Sequence, residues 1–123
     1  MIQLLEGFPD DVVACAARGR VTKADYDGVL IPRVEQALSR NSKIRCYYQL
    51  GSDFSTFEPG AMWEDAKIGL EHLKQWERVA VVTDVEWLRL ATNAFRFLMP
   101  GSVRVFPIAE AAEAKRWIDG GRS

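Results

Sequence analysis

Five side chains are the candidates for acid–base chemistry: Asp53, Glu58, Asp65, Asp84 and the only histidine, His72. Acid–base catalysis needs such groups within hydrogen-bond reach of one reacting atom. Their spacing along the chain gives no sign of that. No Ser/His or Cys/His dyad can be inferred, and no Gly-rich loop matches a phosphate cradle. The two cysteines, Cys15 and Cys46, form no C-x-x-C and have no Cys/His spacing suited to zinc. Both lie in apolar or aromatic runs and are expected to be buried, reduced thiols. Ser52, Ser55 and Thr56 cluster in "GSDFSTFEPG" and are candidate phosphosites. A phosphate is favourable at a helix N-terminus, although hydroxyls also serve turns. No catalytic residue, metal site or cofactor is expected.

Asp84 has the strongest positional claim to function, because it ends the apolar run "RVAVVTD". Ligands of open α/β sheets gather at the carboxyl ends of strands. A structural role explains it equally well. Thr83 and Glu86 fit the S/T-x-x-E capping box, and Val82 and Trp87 the hydrophobic staple. Asp84 would then lie in the first helical turn and gain about 0.3–1 kcal/mol from the helix dipole. The structural role is the expected one.

The elements around these residues alternate. "IQLLEGFPDD" and "VVACAARGR" suit an antiparallel hairpin. "VTKADYDGVLIPRVEQALSRN" reads as a helix that starts at a capping-box-like Thr22–Asp25 pair and is kinked or divided by Pro32. "KIRCYYQL" is a strand and "GSDFSTFEPG" a loop; Pro59 then opens a second helix. In that helix Met62, Ala66, Gly69, Leu70 and Leu73 form the apolar stripe, opposite Glu64, Lys67, Glu71 and Lys74. "RVAVVTD" reads as a central strand buried on both faces. A helix from Asp84 to the Met99-Pro100-Gly101 stop follows, then the strand "SVRVF" and a last helix ended by Gly120. The order β-β-α-β-α-β-α-β-α predicts a single α/β domain. It has a mixed, mostly parallel five-stranded sheet with covering helices. Residues 1–120 form the domain and 121–123 a flexible tail.

The helix after Asp84 carries more apolar surface than a sheet can cover. Trp87, Leu88, Leu90, Ala91, Ala94, Phe95, Phe97 and Leu98 occupy about half its circumference. A stripe of ~100° suffices for packing on a sheet. The surplus must meet a neighbouring helix, a second subunit, a ligand or a bilayer. Phe54, Phe57, Met62 and Trp63 begin one helix in this reading; Trp87, Leu90, Ala94 and Phe97 line the next. Facing each other, the two would wall a pocket for a lipid-like or other apolar molecule. Arg89 or Arg96 at its mouth would meet an anionic headgroup.

Composition narrows the field. The chain has 123 residues, 48% hydrophobic and 27% charged, with a formal net charge of -1. That is one ordinary globular domain, and its charge balance does not favour nucleic acid. Lys43, Arg45, Tyr47 and Tyr48 share a strand, but the sheet needs their apolar neighbours for its core, so no nucleic-acid partner is expected. No stretch approaches the ~18 apolar residues of a membrane span. The N-terminus lacks a basic region followed by an apolar run and cleavage site. A cytoplasmic location is expected, with peripheral contact at the inner face of the membrane as an extension.

Four stretches together resemble the SpoIIAA-like family of bacterial proteins: "GRVTKADYDGVLIPRVEQAL", "KIRCYYQL", "WEDAKIGLEHLKQWERVAVVTDVEWLR" and "VRVFPIAEAAEAKRWI". The matching residues include Gly19, Thr22, Asp25, Tyr26 and Pro32; Asp65, Lys67, His72, Glu77, Arg78, Asp84 and Trp87; and Val103, Phe106, Ala114 and Trp117. The resemblance runs from about Gly19 to Ile118. It implies a fold like STAS domains and CRAL-TRIO lipid carriers, with helices that can swing to open an apolar cavity. It also implies ligand binding and membrane association, a homodimer or regulatory protein partner in the STAS manner, and no enzymatic activity. One departure stands out. Anti-sigma-factor antagonists carry Asp-Ser-Ser/Thr-Gly before the helix after the third strand, and this chain reads "LGSDFSTFEPG" there.

Overall fold

The computed structural model describes residues 1–72, 74–98 and 101–120, without the side chains of residues 66, 69, 70, 95 and 98. The expected tail at 121–123, the Met99-Pro100 stop and Leu73 of the second helix's stripe lie outside the described residues. So do the side chains of Ala66, Gly69, Leu70, Phe95 and Leu98.

The β-branched and small-residue runs form five strands: β1 (Ile2–Leu4), β2 (Val12–Val21), β3 (Ile44–Phe57), β4 (Trp76–Thr83) and β5 (Ser102–Phe106). They lie side by side in chain order. β1 is antiparallel to β2, and the remaining neighbours are parallel. Each parallel step moves the chain one strand in the same direction. Right-handed crossovers then place every connecting helix on one face. Those connections are α1 (Lys23–Asp25), a π-helical segment (Tyr26–Leu30), α2 (Ile31–Arg40), α3 (Pro59–Glu71) and α4 (Glu86–Phe95). The other face falls to α5 (Ala111–Asp119).

The period-2 alternation of strands sorts the core into two layers. Val13, Cys15, Ala17, Cys46, Tyr48 and Leu50 meet Tyr26, Leu30, Val34 and Ile68 on the crossover side. Val12, Ala14, Tyr47, Ala80, Val82 and Phe106 meet Ala114 and Ile118 on the α5 side. Two arginines hold the end of α5. Arg45 donates to the Ile118 carbonyl (2.8 Å) and Arg78 to that of Trp117 (2.7 Å). Cations at the carbonyl end of a helix complement its dipole.

The first helix starts as its sequence predicts. Thr22 Oγ1 accepts from Asp25 N (3.1 Å), while Asp25 Oδ2 accepts from Thr22 N (2.8 Å), a complete capping box. Thr22→Ala should therefore lower stability by about 1 kcal/mol, read as a shift of the urea midpoint at unchanged slope. Pro32 does not divide the helix. A proline removes one amide and its ring crowds the carbonyl four residues back. The Tyr26–Leu30 turn is widened just there, with Ile31 N–H bonded to the Tyr26 carbonyl. The helical path therefore continues through the proline as a π-bulge does.

Two expectations fail. "GSDFSTF" is strand rather than loop, because β2 also runs on to Val21 and needs a partner. Gly19 pairs with Phe54, Arg20 with Thr56 and Val21 with Phe57, across register shifts on both sides of Gly19. Gly19 takes φ +57°, the left-handed conformation of bulge glycines. Phe54 and Phe57 thus stand on β3, not on a helix. Second, α4 begins at Glu86, with Val85 as its N-cap and no side-chain cap. Thr83 Oγ1 instead donates to the Leu50 carbonyl (2.9 Å) and accepts from Val85 N (3.1 Å). The hydroxyl joins two strands, and neither the capping box nor the staple forms.

Candidate functional site

β4 is flanked by β3 and β5, and its α5 face is closed: Ala80 and Val82 are fully buried. Its other face is not. Val79 and Val81, which point toward the crossover helices, keep part of their surface exposed. The expectation of a strand buried on both faces therefore holds on one side only. The helices explain this. α3 rests mainly on α1 and the π segment, while α4 leans on β4 and β5. Between them Val79 and Val81 stay only partly covered.

Exposed or partly exposed apolar side chains stand on the elements around these valines. Phe54 and Phe57 pack with ring centroids 5.0 Å apart, and Phe57 meets Trp87 edge-on at 6.3 Å. This aromatic run leads from the end of β3 to α4. Met62 (51% exposed) and Trp63 (68%) stand at the start of α3, and Leu90 (66%) on α4. Phe97 is the most exposed, at 82%, on the 3-10 turn after α4. Ala94 is exposed as well. The structure thus joins Phe54, Phe57 and Trp87 in one contact chain, and leaves Met62, Trp63, Leu90, Ala94 and Phe97 on the surface. Among the described side chains of α3, Ala61, Glu64 and Ile68 face inward, and Met62, expected in the apolar stripe, faces out. Of the two arginines, Arg89 is half-buried and donates to the Thr83 carbonyl (3.0 Å). Arg96 is exposed, its guanidinium 5.6 Å from the Phe97 ring centre.

The five acid–base candidates are engaged with different partners. Asp53 pairs with Arg18. Glu58 accepts from Lys23 N (3.1 Å) and faces Arg20 (3.4 Å). His72 Nδ1 shares a hydrogen bond with Gln75 Oε1 (2.8 Å). Asp84 Oδ1 accepts from Ile108 N (3.1 Å), tying the end of β4 to the turn before α5. Its role is a cap, but on a distant turn rather than on its own helix. Ser52, Ser55 and Thr56 are exposed on extended β3, not at a helix start, so the dipole argument for a phosphate does not apply to them. Among the described residues no His/Cys/Asp/Glu group could hold a metal ion.

Asp65 belongs to an array that sequence spacing did not reveal. Tyr26 Oη donates to Asp65 Oδ1 (2.8 Å) and lies 2.9 Å from Tyr48 Oη, which then donates to it. The array ties the π segment, β3 and α3 together, running from the first core out to Asp65. Burial pushes both tyrosine hydroxyls far up, so they stay protonated. Desolvation raises Asp65, and the Tyr26 hydrogen bond partly offsets it. The residue still keeps exposed surface, so water moderates the effect. Burial, reinforced by the Asp65 charge, pushes Cys46 up to about 12, and burial also raises Cys15. Neither thiol is a nucleophile at neutral pH. The one available signal was Tyr26, a polar-tipped residue within an apolar helical stripe.

With this geometry in view, the comparisons are specific. A family model described as SpoIIAA-like matches residues 12–119. The chain belongs to the SpoIIAA-like family. Among solved structures, it is similar to an uncharacterized DUF3478-family protein with a SpoIIAA-like fold from Shewanella loihica PV-4. The two share 28% identity and superpose with a TM-score of 0.75, over 95% of this chain and 93% of that chain. No curated protein matches the sequence. The SpoIIAA-like match begins at Val12, so β1 lies outside it. No helix among the described residues is long and apolar enough to cross a membrane.

Proposed function

We propose that this SpoIIAA-like domain is a non-catalytic binding module whose occupant is an apolar, lipid-like chain laid on β4 between α3 and α4. The partial exposure of Val79 and Val81 on an inner strand carries this reading. An inner parallel strand is ordinarily covered on both faces. Single exposed apolar residues are normal, but a partly covered inner strand together with exposed Trp63, Leu90 and Phe97 on the adjoining elements is more than that. An acyl chain asks only for apolar surface, which Val79, Val81, Phe57 and Trp87 supply. Arg96, exposed beside Phe97, would meet an anionic end. The scatter of the acid–base groups supports the absence of catalysis.

A second reading is a regulatory protein–protein module, the coarser role that the family suggests. The outward position of Phe97 and Leu90 favours it, and either a second copy or a peripheral membrane surface could take the same face. Titration with oleate, followed by tryptophan fluorescence, separates the readings. Saturable quenching or blue shift is expected, and Leu90→Ser, at an exposed site, should weaken binding about tenfold, or ~1.4 kcal/mol. Unmoved fluorescence, together with native mass spectra of the bare chain, would sink the apolar-ligand reading. Concentration-dependent sedimentation would then favour self-association, and co-sedimentation with phosphatidylglycerol vesicles a membrane surface.

A further inference from the structure

The flank of α3 turned toward α2 carries a second, polar surface that does not depend on the apolar one. Glu64, Lys67, Ile68, Glu71 and His72 recur there at helical spacing. With Ile31 and Glu35 of α2 they line a groove of about 260 Å³. Glu64 is its unusual member. It is only 9% exposed, yet among the described residues it has neither a hydrogen-bond donor nor an ion-pair partner. Its remaining exposed surface faces the groove that it lines. Lys67, one turn on, is exposed and forms no ion pair with it. The groove holds three carboxylates against one lysine, so it is net negative.

The arrangement selects the kind of cation. The carboxylates do not converge as metal ligands among the described residues. Instead they are spread along the groove, with Glu64 deep and Glu35 and Glu71 exposed. Two isoleucines, Ile31 and Ile68, lie among them. Alternating carboxylate and aliphatic surface matches a chain of methylenes ending in an ammonium, whose stem packs on apolar surface while its head seeks charge. We propose that this groove binds a primary ammonium group on an aliphatic chain, with Glu64 receiving the ammonium and Ile31 and Ile68 the methylenes. The source is either a free diamine or a lysine side chain of a partner protein.

Amide chemical shifts of ¹⁵N-labelled protein test this, with 1,4-diaminobutane and a capped Gly-Lys-Gly peptide as probes and 1,4-butanediol as the uncharged control. Saturable shifts at Glu64, Ile68 and His72 are expected with an amine and not with the diol. Glu64→Gln, which preserves shape, should weaken binding tenfold or more. Lys67→Gln, at an exposed site that folding does not depend on, should tighten it severalfold by removing a competing cation. Tighter binding of the diamine assigns a free-amine ligand; tighter binding of the peptide assigns a partner's lysine. No saturable shift with either amine, equal response to the diol, or affinity unchanged in both variants would overturn the proposal.

Discussion

Gly101→Ala should destabilise the domain by about 3 kcal/mol, at the upper end of ordinary overpacking, with a fall in Tm on the order of 10 °C. Gly101 precedes β5, where that strand comes alongside β4. A Cβ there would run into the Trp76 carbonyl oxygen and sit 2.7 Å from that of Glu77. Both are backbone atoms of the neighbouring strand. No side-chain rotation relieves the clash, so β5 must move away from β4 or slip its register. Slippage moves inward residues to the outer face, which would displace Val103 from one core layer and Phe106 from the other. Gly28→Ala is the matching control. Its added methyl meets nothing within 4 Å and its φ is ordinary. There the gain in unfolded-state rigidity should leave stability unchanged or raise it by about 0.5–1 kcal/mol. A Gly101→Ala protein that melts with the wild type would mean that the strand junction yields more easily than its geometry implies.

This constraint shows what was legible in the sequence and what was not. The alternation of elements, the parallel sheet and the Thr22 capping box follow from local pattern, because each is set by residues within a few positions of one another. Gly101 reads only as the end of a Met-Pro-Gly stop, since its need for glycine comes from Trp76 and Glu77, a strand away. The extension of β3 was missed for the same kind of reason. Gly51, Ser52, Asp53 and Ser55 have turn composition, and what overrides it is the unpaired length of β2 up to Val21. Thr83 and Glu86 satisfied a helix-start pattern, yet the Leu50 carbonyl on β3 captured the hydroxyl. At the candidate site, the surplus of apolar residues after Asp84 was legible from periodicity. The partial exposure of Val79 and Val81 was not, because exposure of a sheet depends on where helices come to rest. Glu64 likewise reads as part of a solvated face until α2 is placed beside it.

Tyr26→Phe should lower stability by about 2 kcal/mol at neutral pH, and by less in acid. The ring of Tyr26 is fully buried and is retained, so packing is nearly unchanged. What disappears is a hydroxyl that accepts from Tyr48 and donates to Asp65. Leaving buried polar groups without partners costs about 1–3 kcal/mol. Tyr48 is stranded in the core at any pH, whereas the loss at Asp65 depends on its charge. Desolvation raises Asp65 above the 3.8 of an unperturbed aspartate, and the Tyr26 hydrogen bond pulls it back. A carboxyl with a raised folded-state pKa binds its proton more tightly folded than unfolded. Its contribution is therefore full below 3.8 and is lost as pH climbs through the folded value. Without the tyrosine hydroxyl the folded value rises further, so the window of loss extends upward and the variant's deficit widens across it. The other titratable groups around the site are Tyr48, Cys15 and Cys46, all raised by burial, and none changes charge in that window. Urea unfolding at pH 3.5 and pH 7 reads the difference. Asp65→Asn isolates its source, because in that background the cost of Tyr26→Phe should no longer change between the two conditions. A deficit equal in acid and at neutrality would show that Asp65 is too well hydrated to feel the hydroxyl. A pH-dependent deficit that survives Asp65→Asn would place the titrating group elsewhere.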